Sequence, residues 1–351
     1  MYNVTIGMDI GDKKHQVHIL DMSGKTIKVC QITNTAKAIE DFFYQYPEAL
    51  VAIEASTHSP WISRLLEKIV AKVLVGNPRK LRMIWDSDKK DDMRDAEMLA
   101  RIARFDAKLL YPIKHRDEQT QADRALLKAR DILVKTRTSL VLHVRGSVKS
   151  LGGRVPTCSS ASFHRDAAEH IPDLLKQSLL PILEQIEEIN KQIAAYDKTI
   201  KRISKTRYPE TEILQQIGGV GPVTALAYAV TIGDPERFRK SRDVGPYLGM
   251  TPRRDQSGES DKQLRITKAG DRYLRRLLVQ AAQYILGAFG EDSNLRRFGF
   301  KIAERGGKNA KKRAVVAVAR KLAVLLHRLW VTGEVYDPLY KPTKVMIQIA
   351  A

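Results

Sequence analysis

Short apolar runs alternate with helical patterns through the first hundred or so residues, and this alternation restricts the possible folds more than any other feature. We expect strands at Val4–Ile10, Gln16–Leu20, Thr26–Gln31, Leu50–Ala55 and Lys72–Val75, and helices at Ala36–Tyr46, Pro60–Val70 and 92–104. A Ser-Gly turn separates the second and third runs, which is typical of a hairpin. The order predicts an α/β sheet with helices packed on its faces.

The middle of the chain has a different period. Leu126, Leu133 and Leu140 recur every seven residues, and an isoleucine-rich seam runs from Ile182 to Ile203. The spacing predicts a helical hairpin or coiled coil, with the core of an ordinary helical bundle as an equal alternative. We therefore expect three domains, at residues 1–115, 116–205 and 206–351, the last of them mainly helical.

Charge is concentrated near the C-terminal end. The 351 residues have a formal net charge of +20, and segments 237–276 and 301–328 contribute +7 and +8 of it. Such concentration favours a nucleic-acid partner over a merely basic surface. The two cysteines favour neither a disulfide framework nor a zinc site, and the absence of a signal-like or spanning apolar run predicts a cytoplasmic protein with no membrane partner.

Acidic residues stand at the ends of the predicted strands. Asp9 ends the first strand and Glu54 ends a buried one, while Asp92 and Asp95 share one face at a helix start. Carboxylates that converge repel one another unless a cation neutralises them, and an all-oxygen ligand set selects a hard cation. The sequence therefore predicts a Mg²⁺ site, which can assist displacement at a phosphodiester.

Two other interpretations of these acids stay open. Taken singly, Asp9 fits a turn, and Asp92 with Asp95 fits a helix N-terminus. Asp9-Ile10-Gly11 is also similar to the first phosphate loop of actin-like and sugar-kinase ATPases, but the second loop of those enzymes has no counterpart here. Glu54 favours the metal site, because an acid within an apolar strand is costly to bury without a role.

The last third begins with a glycine-rich turn between two helical patterns, similar to a helix-hairpin-helix. Gly219 and Gly221 lie in this turn, where backbone N–H groups would face a phosphate, although a plain tight turn is the simpler alternative. Further candidate nucleic-acid contacts are Arg253, Arg254, Lys268, Arg272, Arg275, Arg276, Lys311, Lys312 and Arg313. We expect a loop around Ser257, a basic amphipathic helix around Tyr273, and another helix at Ala314–Trp330.

Taken together, these motifs resemble the DEDD transposases of insertion sequences, in the IS110 and IS1111 groups, which are related to Piv-type invertases and include the bridge-RNA-guided recombinases. The resemblance covers nearly the whole chain and rests on the order of its motifs: Gly7–Gly11, Ala52–Ser56, Lys90–Ala96, Ile217–Pro222, Tyr247–Pro252, Gln256–Gly258 and Thr267–Asp271.

The resemblance implies a RuvC-like RNase H fold for the first domain, with Asp9, Glu54, Asp92 and Asp95 as Mg²⁺ ligands. It implies that Ser257 is a nucleophile that joins a DNA 5′ phosphate and completes one composite active site with the acids. It also implies dimers through the coiled coil, a synaptic tetramer, donor and target DNA, and a structured guide RNA.

Alternatives to this assignment are a metal-only nuclease of the Holliday-junction type, which needs no serine, and a non-enzymatic nucleic-acid-binding protein. Asp91 stands beside Asp92 and Ser260 stands near Ser257 as rivals for the same roles. A tyrosine recombinase is disfavoured, because His327-Arg328 does not form the required His-x-x-Arg arrangement ahead of a tyrosine.

Overall fold

The computed structural model describes residues 2–81, 91–257 and 260–340, without the side chains of residues 257 and 260–263. Contacts divide the chain into two compact units, Met1–Asp117 and Glu118–Ala351. Among the described residues, no helix has the length and apolar character needed to cross a membrane.

The first unit is built on a five-stranded mixed sheet, which confirms the predicted α/β architecture. Its spatial order is β3-β2-β1-β4-β5, with the first three strands antiparallel and β1, β4 and β5 parallel. The strands are β1 (Thr5–Asp9), β2 (Lys14–Leu20), β3 (Thr26–Thr33), β4 (Leu50–Glu54) and β5 (Lys72–Gly76).

Helices cover both faces of this sheet. They are α1 (Ala36–Phe43), α2 (Ser59–Leu66) and α3 (Asp92–Phe105), followed by a 3₁₀ turn at Ala107–Leu110. One core contains Ile6, Met8 and Ile53 together with residues of α1 and α2, and a second core packs Ala52 against Leu99 of α3. Alternate strand residues therefore face opposite helical layers, as the pleat requires.

Two predicted helices end earlier than expected. The first stops at Phe43, because Pro47 restricts the residue before it and the chain turns there. The second stops at Leu66, since Ile69 and Val70 fold back into the core instead of continuing the helix. The predicted strand ends differ from the observed ones by at most two residues, as is usual for element boundaries.

The second unit is mainly helical. Its helices are α4 (Glu118–Ser150), α5 (Phe163–Ala168), α6 (Asp173–Arg207), α7 (Glu210–Leu214), α8 (Pro222–Ile232), α9 (Val244–Tyr247), α10 (Arg272–Leu286), α11 (Asn294–Ala303) and α12 (Ala310–Thr332). Short 3₁₀ turns lie at Pro235–Arg237 and Ser241–Asp243. The largest core gathers α8, α10 and α12 around the fully buried Tyr228.

The two longest helices, α4 and α6, pack against each other in antiparallel directions. Arg130 bonds Asp197 and Arg137 bonds Asn190, so residues further along α4 meet residues earlier in α6. Ile200 and Ile203 at the end of α6 belong to the same core as α8. The boundary predicted near residue 206 thus falls inside the second unit, and the three-domain division stays a prediction.

A β-hairpin replaces the loop expected around Ser257, so that expectation was wrong. Strand β6 (Pro252–Ser257) pairs antiparallel with β7 (Ser260–Ile266). The polar composition of these strands hid them, because an exposed two-stranded ribbon lacks the apolar alternation that marks a buried strand. The basic helix expected around Tyr273 begins only at Arg272, leaving Arg265 on β7 and Lys268 in the connection.

Candidate active site and nucleic-acid interface

Asp9 and Glu54 end two neighbouring parallel strands on the same face of the sheet. Met8 is paired with Ile53, so the two acids occupy the next position on each strand. Met8 and Ile53 face the α1–α2 layer, and their neighbours Asp9 and Glu54 therefore face the side covered by α3. The strand register is the reason why both carboxyls emerge at one corner of the sheet.

Helix α3 approaches β1 closely enough to bring a third acid to this corner. A Cβ atom at Gly7 would lie 2.0 Å from the backbone oxygen of Ala96 and 2.6 Å from the nitrogen of Ala100. Only glycine permits this spacing, and it places the first turn of α3, with the half-buried Asp95, over the end of the sheet.

The three carboxyls form an electrostatically coupled acidic cluster. Burial raises the pKa of Glu54 above its ordinary value, and the negative charges of Asp9 and Asp95 raise it further. Like charges disfavour ionisation of a shared site, so the cluster holds its full charge only with a counter-cation. Asp9, Glu54 and Asp95 together are the acidic cluster of the first unit.

Asp91 and Asp92, at the start of α3, differ in their contacts. Asp92 is the first residue of α3 and is exposed. Asp91 is the N-cap of the helix, and its carboxylate accepts a hydrogen bond from the backbone N–H of Met93 at 3.0 Å. The structure thus gives Asp91 a capping role, which is typical of an aspartate at this position.

The acidic cluster has the donor chemistry of a divalent-cation site. All its ligating atoms are carboxylate oxygens, which hard cations such as Mg²⁺ and Mn²⁺ prefer. Within residues 2–81, 91–257 and 260–340, no three or more His, Cys, Asp or Glu side chains stand together as a ready metal-binding group. The acidic cluster therefore matches a divalent-cation site in the type of its donor atoms and in its shared negative charge.

A histidine that the sequence analysis did not select joins the two loops beside the acidic cluster. The Nε2 atom of His58, in the loop after β4, lies 3.1 Å from Oδ1 of Asp12, in the turn after β1. Trp61 donates its indole N–H to Nδ1 of the same ring at 3.2 Å, so Nε2 carries the proton and donates to Asp12. The position of His58 four residues after Glu54 was the available signal.

The glycine turn connects α7 to α8. Gly219 has a positive φ of 88°, and a Cβ atom there would lie 2.9 Å from the ring of Tyr284 and 3.1 Å from the Ala281 oxygen. Gly221 is the N-cap of α8, is exposed, and has open space where a side chain would be. Gly219 is thus required by packing, whereas Gly221 leaves the N-terminus of α8 accessible.

Ser257 is the last residue of β6 and is paired with Ser260, the first residue of β7. Their side chains lie outside the described residues. The neighbouring Arg253 and Arg254 are exposed on the same strand. The two candidate nucleophiles therefore lie directly across from each other at the tip of the hairpin.

The candidate nucleic-acid contacts divide into two groups. Arg275 donates to the backbone oxygens of Leu248 and Gly270, and Arg276 pairs with Asp131 on α4, so both are engaged within the unit. The exposed candidates are Arg253, Arg254, Lys268, Arg272, Lys311, Lys312 and Arg313. Positive charge available to a polyanion is therefore supplied by the hairpin, the start of α10 and the start of α12.

Two models of known protein families match this chain. Residues 6–151 match the model of the DEDD transposase domain of IS110 elements, and residues 211–296 match that of the IS116/IS110/IS902 transposase family. The chain belongs to the IS110 family of insertion-sequence transposases. It is therefore an enzyme that cleaves and rejoins DNA, its first unit has the RuvC-like fold of DEDD domains, and domains of this type depend on a divalent metal.

Individual relatives of the transposase agree with this assignment. A probable family 20 transposase of Pseudomonas aeruginosa is 28% identical over 95% of this chain and 98% of its own length. The transposase for insertion sequence element IS1111A of Coxiella burnetii is 26% identical over 94% of this chain and 90% of its own length. A pilin gene-inverting protein of Moraxella lacunata is 32% identical over 32% of this chain and 34% of its own length.

Proposed function

We propose that this transposase is a Mg²⁺-dependent DNA recombinase that uses the acidic cluster and a serine nucleophile. The observation that supports the proposal best is the meeting of Asp9, Glu54 and Asp95 on one face of the sheet, where burial and mutual repulsion raise the pKa of Glu54. Such a cluster is unfavourable for the fold by itself, which is typical of a functional site.

Asp9, Glu54 and Asp95 would hold the ion, with the exposed Asp92 as a fourth ligand. When bound, the divalent cation supplies Lewis-acid polarisation of a phosphoryl oxygen. His58 and Asp12 join the loops after β4 and β1, and thereby hold the strand ends that present Glu54 and Asp9. The assignment of Mg²⁺ rests on the oxygen donors.

We propose Ser257 as the nucleophile. Its hydroxyl oxygen attacks the phosphorus of a DNA strand, forming an O–P bond as the bond to the 3′ oxygen breaks. The hydroxyl proton passes to a base, and the leaving 3′ oxygen takes up a proton from solvent. The product is a DNA 5′ phosphate joined to the serine and a free 3′ hydroxyl. Attack by another 3′ hydroxyl reverses the step on a new strand, so no external energy source is needed.

The same proposal includes the nucleic acids and the assembly. A structured bridge RNA would pair with donor and target DNA, while the exposed arginines and lysines contact phosphate backbones. The turn at Gly219–Gly221 would act as a helix-hairpin-helix, and the α4–α6 pair would form a coiled coil that joins copies into a dimer and a synaptic tetramer. Action would be in the cytoplasm, on nucleoid DNA.

The decisive experiment is strand cleavage of a plasmid that carries the element ends, with the full chain and the RNA that co-purifies with it. Glu54→Gln and Asp95→Asn should abolish cleavage while DNA binding persists. Ser257→Ala should abolish the covalent protein–DNA adduct and strand transfer. Asp91→Asn, which keeps capping ability, and Ser260→Ala are the matched controls and should stay active.

Retained cleavage by Ser257→Ala, with loss in Glu54→Gln, would favour the metal-only Holliday-junction nuclease instead. Unchanged cleavage by Glu54→Gln would overturn the acidic site itself. Sequencing of the co-purified RNA tests the guide separately, because a defined transcript from DNA beside the gene supports it and random cellular RNA contradicts it.

A further inference from the structure

A cavity of about 660 Å³ opens beside α12 in the second unit. Ligand sites usually have volumes of about 300–1,000 Å³, so this cavity can hold a small organic group. Its apolar wall is formed by Pro246, Leu295, Val324, Leu325 and Pro338. None of the candidate contacts for nucleic acid named from the sequence belongs to its lining.

Cations surround this apolar wall. Arg242, Arg320 and Lys321 line the cavity, and in the part of the chain that the structure describes none of them has a carboxylate within salt-bridge distance. Arg328, also in the lining, pairs with Glu334. The cavity therefore combines an apolar interior with uncompensated positive charge.

The acids of the cavity offset only part of this charge, because its lining has two carboxylates, Asp243 and Asp337, against four cationic side chains. A carboxylate oxygen of Asp243 accepts the backbone N–H of Lys240 at 3.2 Å, and one of Asp337 accepts the backbone N–H of Leu339 at 2.9 Å. Both carboxylates therefore also hold their own turns, and neither forms an ion pair with Arg242, Arg320 or Lys321. An incoming ligand meets an excess of positive charge, which favours an anion.

Two tyrosines, Tyr336 and Tyr340, also line the cavity. The guanidinium of Arg328 lies 4.7 Å from the ring centre of Tyr340, and the ring of Tyr340 is 44% exposed. Tyr336 is half-buried next to it in the lining. Flat aromatic and guanidinium surfaces of this kind stack on nucleic-acid bases.

We infer that this cavity binds one unpaired nucleotide of a nucleic-acid strand, with its base against the apolar wall and Tyr340, and its phosphate beside Arg242 and Arg320. The inference rests on the proposed function in taking nucleic acid as the substrate. A base inside a duplex is already stacked and paired, so only an unpaired or extruded nucleotide can enter. DNA and RNA both provide that chemistry.

The test is binding of labelled single strands of about ten nucleotides, oligothymidylate and oligouridylate, by the full chain, with a duplex of equal length as comparison. Val324→Trp fills the cavity and Arg320→Gln removes a charge without changing the core. Each should weaken binding of a single strand about tenfold and leave duplex binding within about twofold. Lys301→Gln, at an exposed position on α11 outside the lining, is the matched control and should change neither.

Loss confined to oligothymidylate assigns the cavity to DNA, and loss confined to oligouridylate assigns it to RNA. Photocrosslinking with 5-iodo-substituted strands should label Tyr340 or Tyr336. Unchanged binding of both single strands by Arg320→Gln, or equal weakening of the duplex, would overturn the inference. Ser257→Ala should retain single-strand affinity. A failure of the nucleophile proposal would therefore appear only in the strand-cleavage assay, and a failure of the cavity proposal would appear only in the binding assay.

Discussion

Single residues control how closely the layers of the first unit approach. Gly7 lets α3 lie directly on β1, with the Ala96 oxygen only 2.0 Å from the place where a Cβ atom would stand. The atoms in the way are backbone, so no rotamer change can make room. The geometry of the acidic cluster thus depends on a residue that has no side chain.

We expect Gly7→Ala to destabilise the fold by about 1–3 kcal/mol, because α3 must shift away from the sheet. The shift also moves Asp95 away from Glu54, so strand cleavage should fall strongly. Chemical denaturation and a cleavage assay measure the two effects. Gly146→Ala is the matched control: Gly146 lies exposed within α4 with nothing within 4 Å of the Cβ position, and the substitution should stabilise by about 0.5–1 kcal/mol.

The carboxyl of Glu54 should make the stability of the protein depend on pH. Its folded-state pKa is raised above the ordinary 4.5 by burial and by Asp9 and Asp95, so the ionised carboxyl destabilises the fold at neutral pH. In a chelator, Glu54→Gln should therefore raise stability at pH 7 by up to about 1 kcal/mol. As the pH falls below the unfolded-state value, both states are protonated and the difference should disappear.

Thermal unfolding of the two proteins across this pH range measures the difference. If Glu54→Gln were less stable than the parent at pH 7 without metal, the ionised carboxyl of Glu54 would not be destabilising, and the prediction would be wrong. Asp12→Asn is a useful comparison, because Asp12 lies exposed beside the cluster and should show no such gain.

At the scale of the elements, polar contacts tie the ends of the long helices together. Asp123 on α4 is 3% exposed, and its carboxylate accepts from Arg207 at 2.7 Å and from the hydroxyl of Tyr208 at 3.0 Å. These contacts fix the start of α4 to the end of α6. The heptad pattern predicted two long helices but gave no sign of this contact, since Asp123 lies outside the leucine seam.

We expect Asp123→Ala to cost about 1–3 kcal/mol of unfolding free energy, because it removes the buried carboxylate that accepts from the exposed Arg207 and the half-buried Tyr208. Denaturant unfolding of the full chain provides the measurement. Glu187→Ala, which removes an exposed pair with Lys191 on α6, should change stability by no more than about 0.5 kcal/mol. Equal effects of the two substitutions would contradict a structural role for Asp123.

At the scale of the whole molecule, the positive charge divides between residues that pair within the second unit and exposed residues that extend into solvent. Lys312 is exposed at the start of α12, whereas Arg276 pairs with Asp131 and lies over the ring of Tyr273 at 5.3 Å. Only charge that reaches solvent can displace counterions from DNA. Net charge alone therefore overestimates the number of phosphate contacts.

We expect Lys312→Ala to lower the slope of log affinity against log salt concentration by about one, with little change in stability. Arg276→Ala should lower stability and leave the slope nearly unchanged. Titrations of duplex DNA at several salt concentrations, with unfolding curves alongside, distinguish the two. A slope change for Arg276→Ala equal to that for Lys312→Ala would show that Arg276 contacts DNA directly.

The sequence by itself determined the elements of the first unit, because the periods of its apolar residues depend on local geometry. Alternating strands and helices, the long α4–α6 pair and the family motifs could all be read from residue order. Asp9 and Glu54 could be placed at strand ends for the same reason, since both directly follow apolar runs.

The tertiary structure alone decided which acids meet and which cations face solvent. Strand register put Asp9 beside Glu54, and the close contact of Gly7 with α3 brought Asp95 to them. The side chain of Asp91 instead caps α3 by accepting a backbone N–H. The cavity beside α12 likewise depends on residues far apart in the chain, from Ser241 to Tyr340. Local sequence cannot encode such contacts individually, because each depends on how whole elements pack.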